Sequence, residues 1–264
     1  MIDHTGSEGR NSSLHYWVRG ASREAVVMIS GLGGLADFWL PIAAALESSY
    51  TVISFDHPSV GKSPVTNGHS ICGMANDLCG LLDDLGIEKA HIVGHSTGTL
   101  IAQALALDHP SRVDRIVMSG GWARSDRRMR DLFAVRRSVL ETMGLNAYKA
   151  LSALLAYAPD WYEQHIAQPH EPDLQGEASE TASISARIQM LLSFDRMGEL
   201  HNIKAPVLVI GASDDQVIPL YLAQELVKSI PGTQFLTLCG GHLFPLVCTE
   251  DYIAAVRNHL EGKS

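Results

Sequence analysis

The stretch Ile92-Val93-Gly94-His95-Ser96-Thr97-Gly98-Thr99-Leu100 places a serine between two glycines, after a short apolar run and before the helix-forming run Leu100 to Leu107. It fits Gly-x-Ser-x-Gly, the pattern of a tight strand-to-helix turn with serine at its apex. Such a turn is strained and crowded, so small residues must flank it. The hydroxyl then stands over a sheet edge, at a helix N-terminus whose free N–H groups favour developing negative charge. That is a nucleophile's position. The same pentapeptide also arises by chance in a chain with 23 glycines, so the flanking sequence has to decide.

Upstream, Leu14 to Arg19 reads as an edge strand and Ala25 to Ser30 as a buried parallel strand ending at Gly31. A helix is expected over Asp37 to Leu46, a second buried strand over Thr51 to Phe55, and a helix from Ser70 to Leu85 that Gly86 closes. His91 to Val93 is the strand entering the serine turn, Thr97 to Leu107 the helix leaving it, and Val113 to Ser119 the next strand. This β-α alternation implies an α/β fold with a mostly parallel sheet covered by helices on both faces. It then breaks. From Trp122 to about Gly198 only helical patterns occur, over Met129 to Met143, Ala147 to Tyr157, Trp161 to Gln168 and Thr181 to Phe194, with the polar stretch His170 to Glu180 before the last. A helical cap (122–198) inserted into a core of 1–121 and 199–264 is expected. Alternation resumes with strand Val207 to Ile210, helix Leu220 to Ile230, strand Gln234 to Leu238 and helix Glu250 to Leu260.

A chain of 264 residues fits one large domain or a domain with an insertion. Its net charge of −9 argues against nucleic acid or an anionic membrane as partner. Apolar residues make up 46%, yet no uninterrupted apolar run reaches the roughly 18 residues of a membrane span. The polar start, Met1 to Ser13, lacks the regions of a signal peptide, so a cytoplasmic location is the default expectation. Cys72, Cys79, Cys239 and Cys248 form no CxxC pair and read as reduced, structural thiols. A monomer and a homodimer are both open.

A serine nucleophile needs a base within reach and an acid that fixes the base's tautomer, following in the order serine, acid, histidine. Asp214 and Asp215 come just after the strand Val207 to Ile210, and His242 just after Gln234 to Leu238. Asp215 is preferred as the acid because it stands four residues before Pro219, and Asp214 reads as a turn residue. An oxyanion hole needs two backbone N–H groups. Thr97, directly after the serine, and Leu32, in the glycine-rich loop after the first central strand, are the candidates.

Two decoys compete. Gly31-Leu32-Gly33-Gly34-Leu35-Ala36 follows a strand and Asp56 ends the next one, as in a dinucleotide site, so a nicotinamide-dependent oxidoreductase is the rival enzyme reading. It leaves Ser96, Asp215 and His242 unexplained, and no cofactor or metal is expected. Gly61-Lys62-Ser63 resembles the end of a phosphate loop, but the required glycine is Asp56. A third class is a ligand receptor that keeps the three residues without turnover.

With Gly94-His95-Ser96-Thr97-Gly98, Asp215 and Gly241-His242 in this order, the chain resembles the α/β-hydrolase superfamily over nearly its whole length. Asp56-His57-Pro58-Ser59-Val60-Gly61-Lys62-Ser63 is similar to that family's Asp-x-x-Gly-x-Gly-x-Ser loop, with Ser59 in place of the first glycine, and Ser30 stands where the family often has histidine. Ile29 to Gly34, Phe38-Trp39-Leu40-Pro41, Gly121-Trp122, Phe133 to Arg136, Tyr157 to Trp161 and Ala212 to Asp215 are similar to the aminoacrylate or carbamate hydrolases of bacterial uracil breakdown. The core is similar to 3-oxoadipate enol-lactonases. The resemblance implies a serine hydrolase acting on a small acyl compound: a carbamate or amide, or else an ester or lactone.

Between Trp122 and Arg137 stand six arginines and two aspartates. Arg136 shares the apolar stripe of Leu132, Phe133 and Leu140, so an inward guanidinium holding a substrate carboxylate is one reading and a solvated helix face the other. Arg124, Arg127, Arg128 and Arg130 read as solvated. Trp39, Trp122, Trp161 and Phe244 are candidate apolar walls of a crevice between sheet and cap, or ordinary core.

Overall fold

The computed structural model describes residues 6–66, 68–166 and 178–263. Among these residues eight strands form one sheet. The strands are β1 (Ser7–Arg10), β2 (His15–Arg19), β3 (Ala25–Ile29), β4 (Thr51–Asp56), β5 (Ala90–His95), β6 (Val113–Ser119), β7 (Val207–Ala212) and β8 (Gln234–Leu238), ordered β1-β2-β4-β3-β5-β6-β7-β8. The pairs β1/β2 and β2/β4 are antiparallel and the other neighbours parallel. The polar strand β1 has no apolar pattern to betray it, and it displaces β2 from the edge that the sequence assigned to it.

The central strands are apolar throughout because both faces are covered. Val27 and Ile29 of β3 point into one core, with α2 (Ile71–Asp84), α3 (Thr97–Asp108) and α7 (Leu220–Ser229). Val26 and Met28 point into the other, with α1 (Leu40–Leu46) and α9 (Thr249–Leu260). The period-two alternation therefore feeds two cores from one strand.

Between β6 and β7 lie α4 (Arg127–Ala156), α5 (Pro159–His165) and α6 (Ala178–Ser193). The expected helices Met129 to Met143 and Ala147 to Tyr157 are the two halves of α4, separated at Gly144, whose φ of 85° only glycine adopts readily. Gln168 and most of the polar stretch after it lie outside the described residues. A short helix, α8 (Phe244–Val247), follows β8. All four cysteines are free thiols, and no described helix is long and apolar enough to cross a membrane.

Candidate active site

Ser96 joins β5 to α3 with φ 54° and ψ −121°, a left-handed conformation that a non-glycine residue holds only when its surroundings over-determine it. They do. The N–H of Ser96 donates to Ser119 O of β6 at 2.8 Å, and Thr99 donates to Ser96 O through both its N–H (2.9 Å) and its hydroxyl (2.7 Å). A Cβ on Gly94 would sit 2.6 Å from Gly98 O, and one on Gly98 would sit 2.2 Å from Ile29 O. The two glycines are thus required by close backbone approach.

The strand order brings the loops after β3, β5, β7 and β8 to the same sheet edge, the carboxyl end where parallel folds bind ligands. His242, after β8, lies 2.9 Å through Nε2 from Ser96 Oγ and 2.7 Å through Nδ1 from Asp215 Oδ2, and all three residues are buried. The carboxylate makes Nδ1 the protonated nitrogen and leaves Nε2 to accept from the serine. Asp215 Oδ1 accepts the N–H groups of Val217 (2.8 Å) and Ile218 (2.7 Å), so its orientation is set before it meets His242. Asp214 faces elsewhere: both its oxygens accept the Gly240 N–H, bracing the loop that carries His242. That loop is also held by the end of α4, because Tyr157 bridges Gly241 and the Leu243 N–H donates to Ala156 O at 3.0 Å.

A cavity of about 470 Å³ opens over Ser96 and His242. Its lining includes Leu32, Phe38, Phe133, Arg136, Val217 and Leu243. Leu32 sits on the turn closed by the Gly34 N–H on Gly31 O, and among the described residues no acceptor takes its own N–H. Thr97 is the first residue of α3, where helix N–H groups have no intrahelical partner.

Arg136 lines the cavity. Its Nη2 donates to Tyr148 Oη and Ser152 Oγ, each at 3.0 Å, and its guanidinium lies over the rings of Phe133 (4.8 Å) and Tyr148 (5.1 Å). The break at Gly144 makes this possible, since it folds the second half of α4 back onto the first. No carboxylate among the described residues pairs with Arg136, although burial pulls its pKa down. Arg124, Arg127, Arg128 and Arg130 are at the surface: Arg124 meets Glu225, Arg127 meets Asp131, Arg128 donates to Gln216 O and Arg130 is exposed.

The expected aromatic walls are a correction. Trp39, Trp122 and Phe244 are fully buried in the core, outside the cavity lining, and Trp161 is sandwiched between Tyr157 and His165 at 4.3 Å from each. Phe38 and Tyr157, neighbours in sequence or in the ring stack, line the cavity instead. His95, four residues from His91 on a strand and its turn and so not placed for metal ligation, was not among the expected site residues, yet it lines the cavity with its ring stacked on Phe38 at 5.0 Å. Burial, and then the nearby His242, hold its pKa well below the ordinary range. The dinucleotide motif loses its acid: Asp56 accepts the N–H groups of Ala36 (3.0 Å) and Lys62 (2.9 Å) and so ties two loops together.

Comparison with known proteins agrees with this arrangement. The alpha/beta hydrolase fold family matches residues 24–247. A Caulobacter protein (strain K31) named "Putative carbamate hydrolase RutD" is 35% identical over 265 residues, covering 97% of this chain and 98% of the relative. The Azorhizobium caulinodans protein of the same name is 36% identical, with 92% and 93% coverage. Among solved structures, the enol-lactonase from Burkholderia xenovorans LB400 superposes with a TM-score of 0.84 at 24% identity, covering 94% of this chain and 96% of that one. A shared fold, a family match over most of the length and relatives above 30% identity together mean that the chain belongs to the α/β-hydrolase family and is a hydrolase related to RutD.

Proposed function

We propose that the protein hydrolyses a small, carboxylate-bearing acyl compound through a covalent acyl-serine intermediate. The observation that carries this reading is the hydrogen-bonded chain Ser96–His242–Asp215 at the floor of the cavity. His242 Nε2 takes the Ser96 proton as Oγ attacks the carbonyl carbon. The oxygen that becomes negative is held by the N–H groups of Leu32 and Thr97. Collapse of this intermediate expels the leaving group, which receives the proton from His242. A water, deprotonated by His242, then attacks the acyl carbon and frees Ser96. Asp215 keeps His242 in the tautomer that both steps require.

Two features bear on the substrate. A space of about 470 Å³ suits a small molecule. The buried Arg136 cation, with no acid partner, is matched by a substrate carboxylate, which would neutralise it. The relatives' name favours a carbamate or related amide as the bond cut. A carboxylate-bearing ester or lactone is the second reading, because a guanidinium answers to the carboxylate whichever acyl bond is cleaved.

Hydrolysis of short p-nitrophenyl esters and small carbamates by wild type and Ser96→Ala, together with mass-spectrometric mapping of a fluorophosphonate label, tests the scheme. The expected result is loss of turnover to background in Ser96→Ala and a label confined to Ser96. Unchanged turnover in Ser96→Ala would sink the reading.

A further inference from the structure

Arg187 of α6 is 2% exposed, and among the described residues no carboxylate pairs with it. Burial draws its pKa down to about 10, which still leaves a full cation at neutral pH. A buried cation without an acid costs stability, which points to a role that outweighs the cost. Its donors reveal one. Nη1 donates to Gly33 O at 3.3 Å and Nη2 to His57 Nδ1 at 3.0 Å. A Cβ on Gly34 would lie 2.5 Å from Nη2, so the glycine turn is moulded against the guanidinium.

His57 extends the grip. It is fully buried, and burial, followed by the charge of Arg187, keeps its pKa well below the ordinary range, so the ring is neutral. With Nδ1 accepting from Arg187, the proton resides on Nε2, which faces Ser30 Oγ at 3.5 Å. The His57 backbone N–H donates to Gly34 O at 2.8 Å. Residues 30 to 34 are therefore held at Ser30, Gly33 and Gly34, and Leu32 lies inside that frame.

We propose that Arg187 is a positioning residue through which cap helix α6 sets the turn that carries the Leu32 N–H. The inference rests on the proposed role of that N–H in holding the oxyanion. Arg187 is outside the cavity lining, which separates it from Arg136: Arg136 discriminates by substrate charge, whereas Arg187 acts on the turn for every substrate.

Steady-state kinetics of Arg187→Met and Arg187→Lys on a matched pair of neutral and carboxylate-bearing esters, with thermal melts, test this. Loss of one oxyanion donor lowers turnover about 10²–10³-fold, and a displaced donor is expected to lower it roughly 10–100-fold. Arg187→Met should show that fall in kcat for both esters with KM within about twofold, and Arg187→Lys or added guanidinium should restore part of it. Should Arg187→Met fail to fold, His57→Leu should show the same kcat-selective loss while His57→Gln, whose amide can accept from Arg187 and donate to Ser30, retains most activity. Unchanged kcat in a folded Arg187→Met would overturn the inference. So would a rise in KM restricted to the anionic ester, or a loss that neither lysine nor guanidinium relieves. Failure of the underlying reading is distinguishable, since a folded Leu32→Pro, which lacks the N–H, would then keep its kcat.

Discussion

Asp214 and Asp215 are adjacent, equally acidic and on one loop, yet they hold different parts of the site. Asp215 meets His242 at 2.7 Å, and Asp214 caps the Gly240 N–H. Asp215→Asn is therefore expected to lower kcat by on the order of 10⁴, because an amide can stabilise the wrong imidazole tautomer. Asp214→Asn keeps an acceptor for Gly240 and should change kcat less than tenfold. Single-turnover kinetics of the two variants check this. Arg136→Ala removes charge-assisted bonds of about 1.5–3 kcal/mol each, so KM for a carboxylate-bearing substrate should rise at least tenfold while a neutral ester changes little. The grouping of Ser96, Asp215 and His242 was legible in the sequence because each stands within four residues of the end of a strand whose pattern is local. Trp39 was not: its ring meets that of Phe38 at 4.8 Å, and tertiary packing alone decides that Phe38 reaches the cavity while Trp39 is buried against Tyr252.

At the level of elements, two positive-φ positions set the local path of the chain. Gly144 breaks α4 so that Tyr148 and Ser152 return to Arg136. Gly144→Ala should destabilise by about 1–3 kcal/mol, since its φ and ψ lie in a region nearly reserved for glycine, and should raise KM for anionic substrates. Denaturation midpoints and KM measure the two effects. The sequence placed two helices on either side of this glycine, but the return angle that joins Arg136 to Ser152 is a tertiary property. Ser59, where related loops have glycine, adopts φ 61°, and its Oγ accepts the Thr66 N–H at 2.9 Å. Ser59→Gly exchanges that bond for relief of strain, whereas Ser59→Ala loses the bond and keeps the strain. The alanine variant should be the less stable of the two in urea. Arg187 had a sequence signal that went unread: it shares a helix face with Ile184 and Leu191, where a charge calls for an explanation.

Across the whole molecule, buried neutral histidines tie stability to pH. His57 and His95 have folded-state pKa values well below the ordinary 6.5, so the unfolded chain binds more protons than the folded one once the pH falls below that value. Their contribution is complete above pH 6.5 and is lost as the pH drops, by about 1.4 kcal/mol per pH unit for each ring. Urea midpoints should therefore fall between pH 7 and pH 5, with a shallower slope in His57→Gln. The α/β alternation made the sheet legible from the sequence, and β1 escaped it because a polar strand carries no such periodicity. The bridge between Tyr157 and Gly241, with the Leu243 N–H on Ala156 O, has a consequence for cooperativity. Residues 122–198 read as an inserted unit in sequence, yet the end of α4 is hydrogen-bonded into the loop that follows the last strand. The second half of α4 cannot melt first without dismantling that loop. Calorimetric and van't Hoff enthalpies should therefore coincide, and amides in the second half of α4 should exchange with the same opening free energy as those of β5.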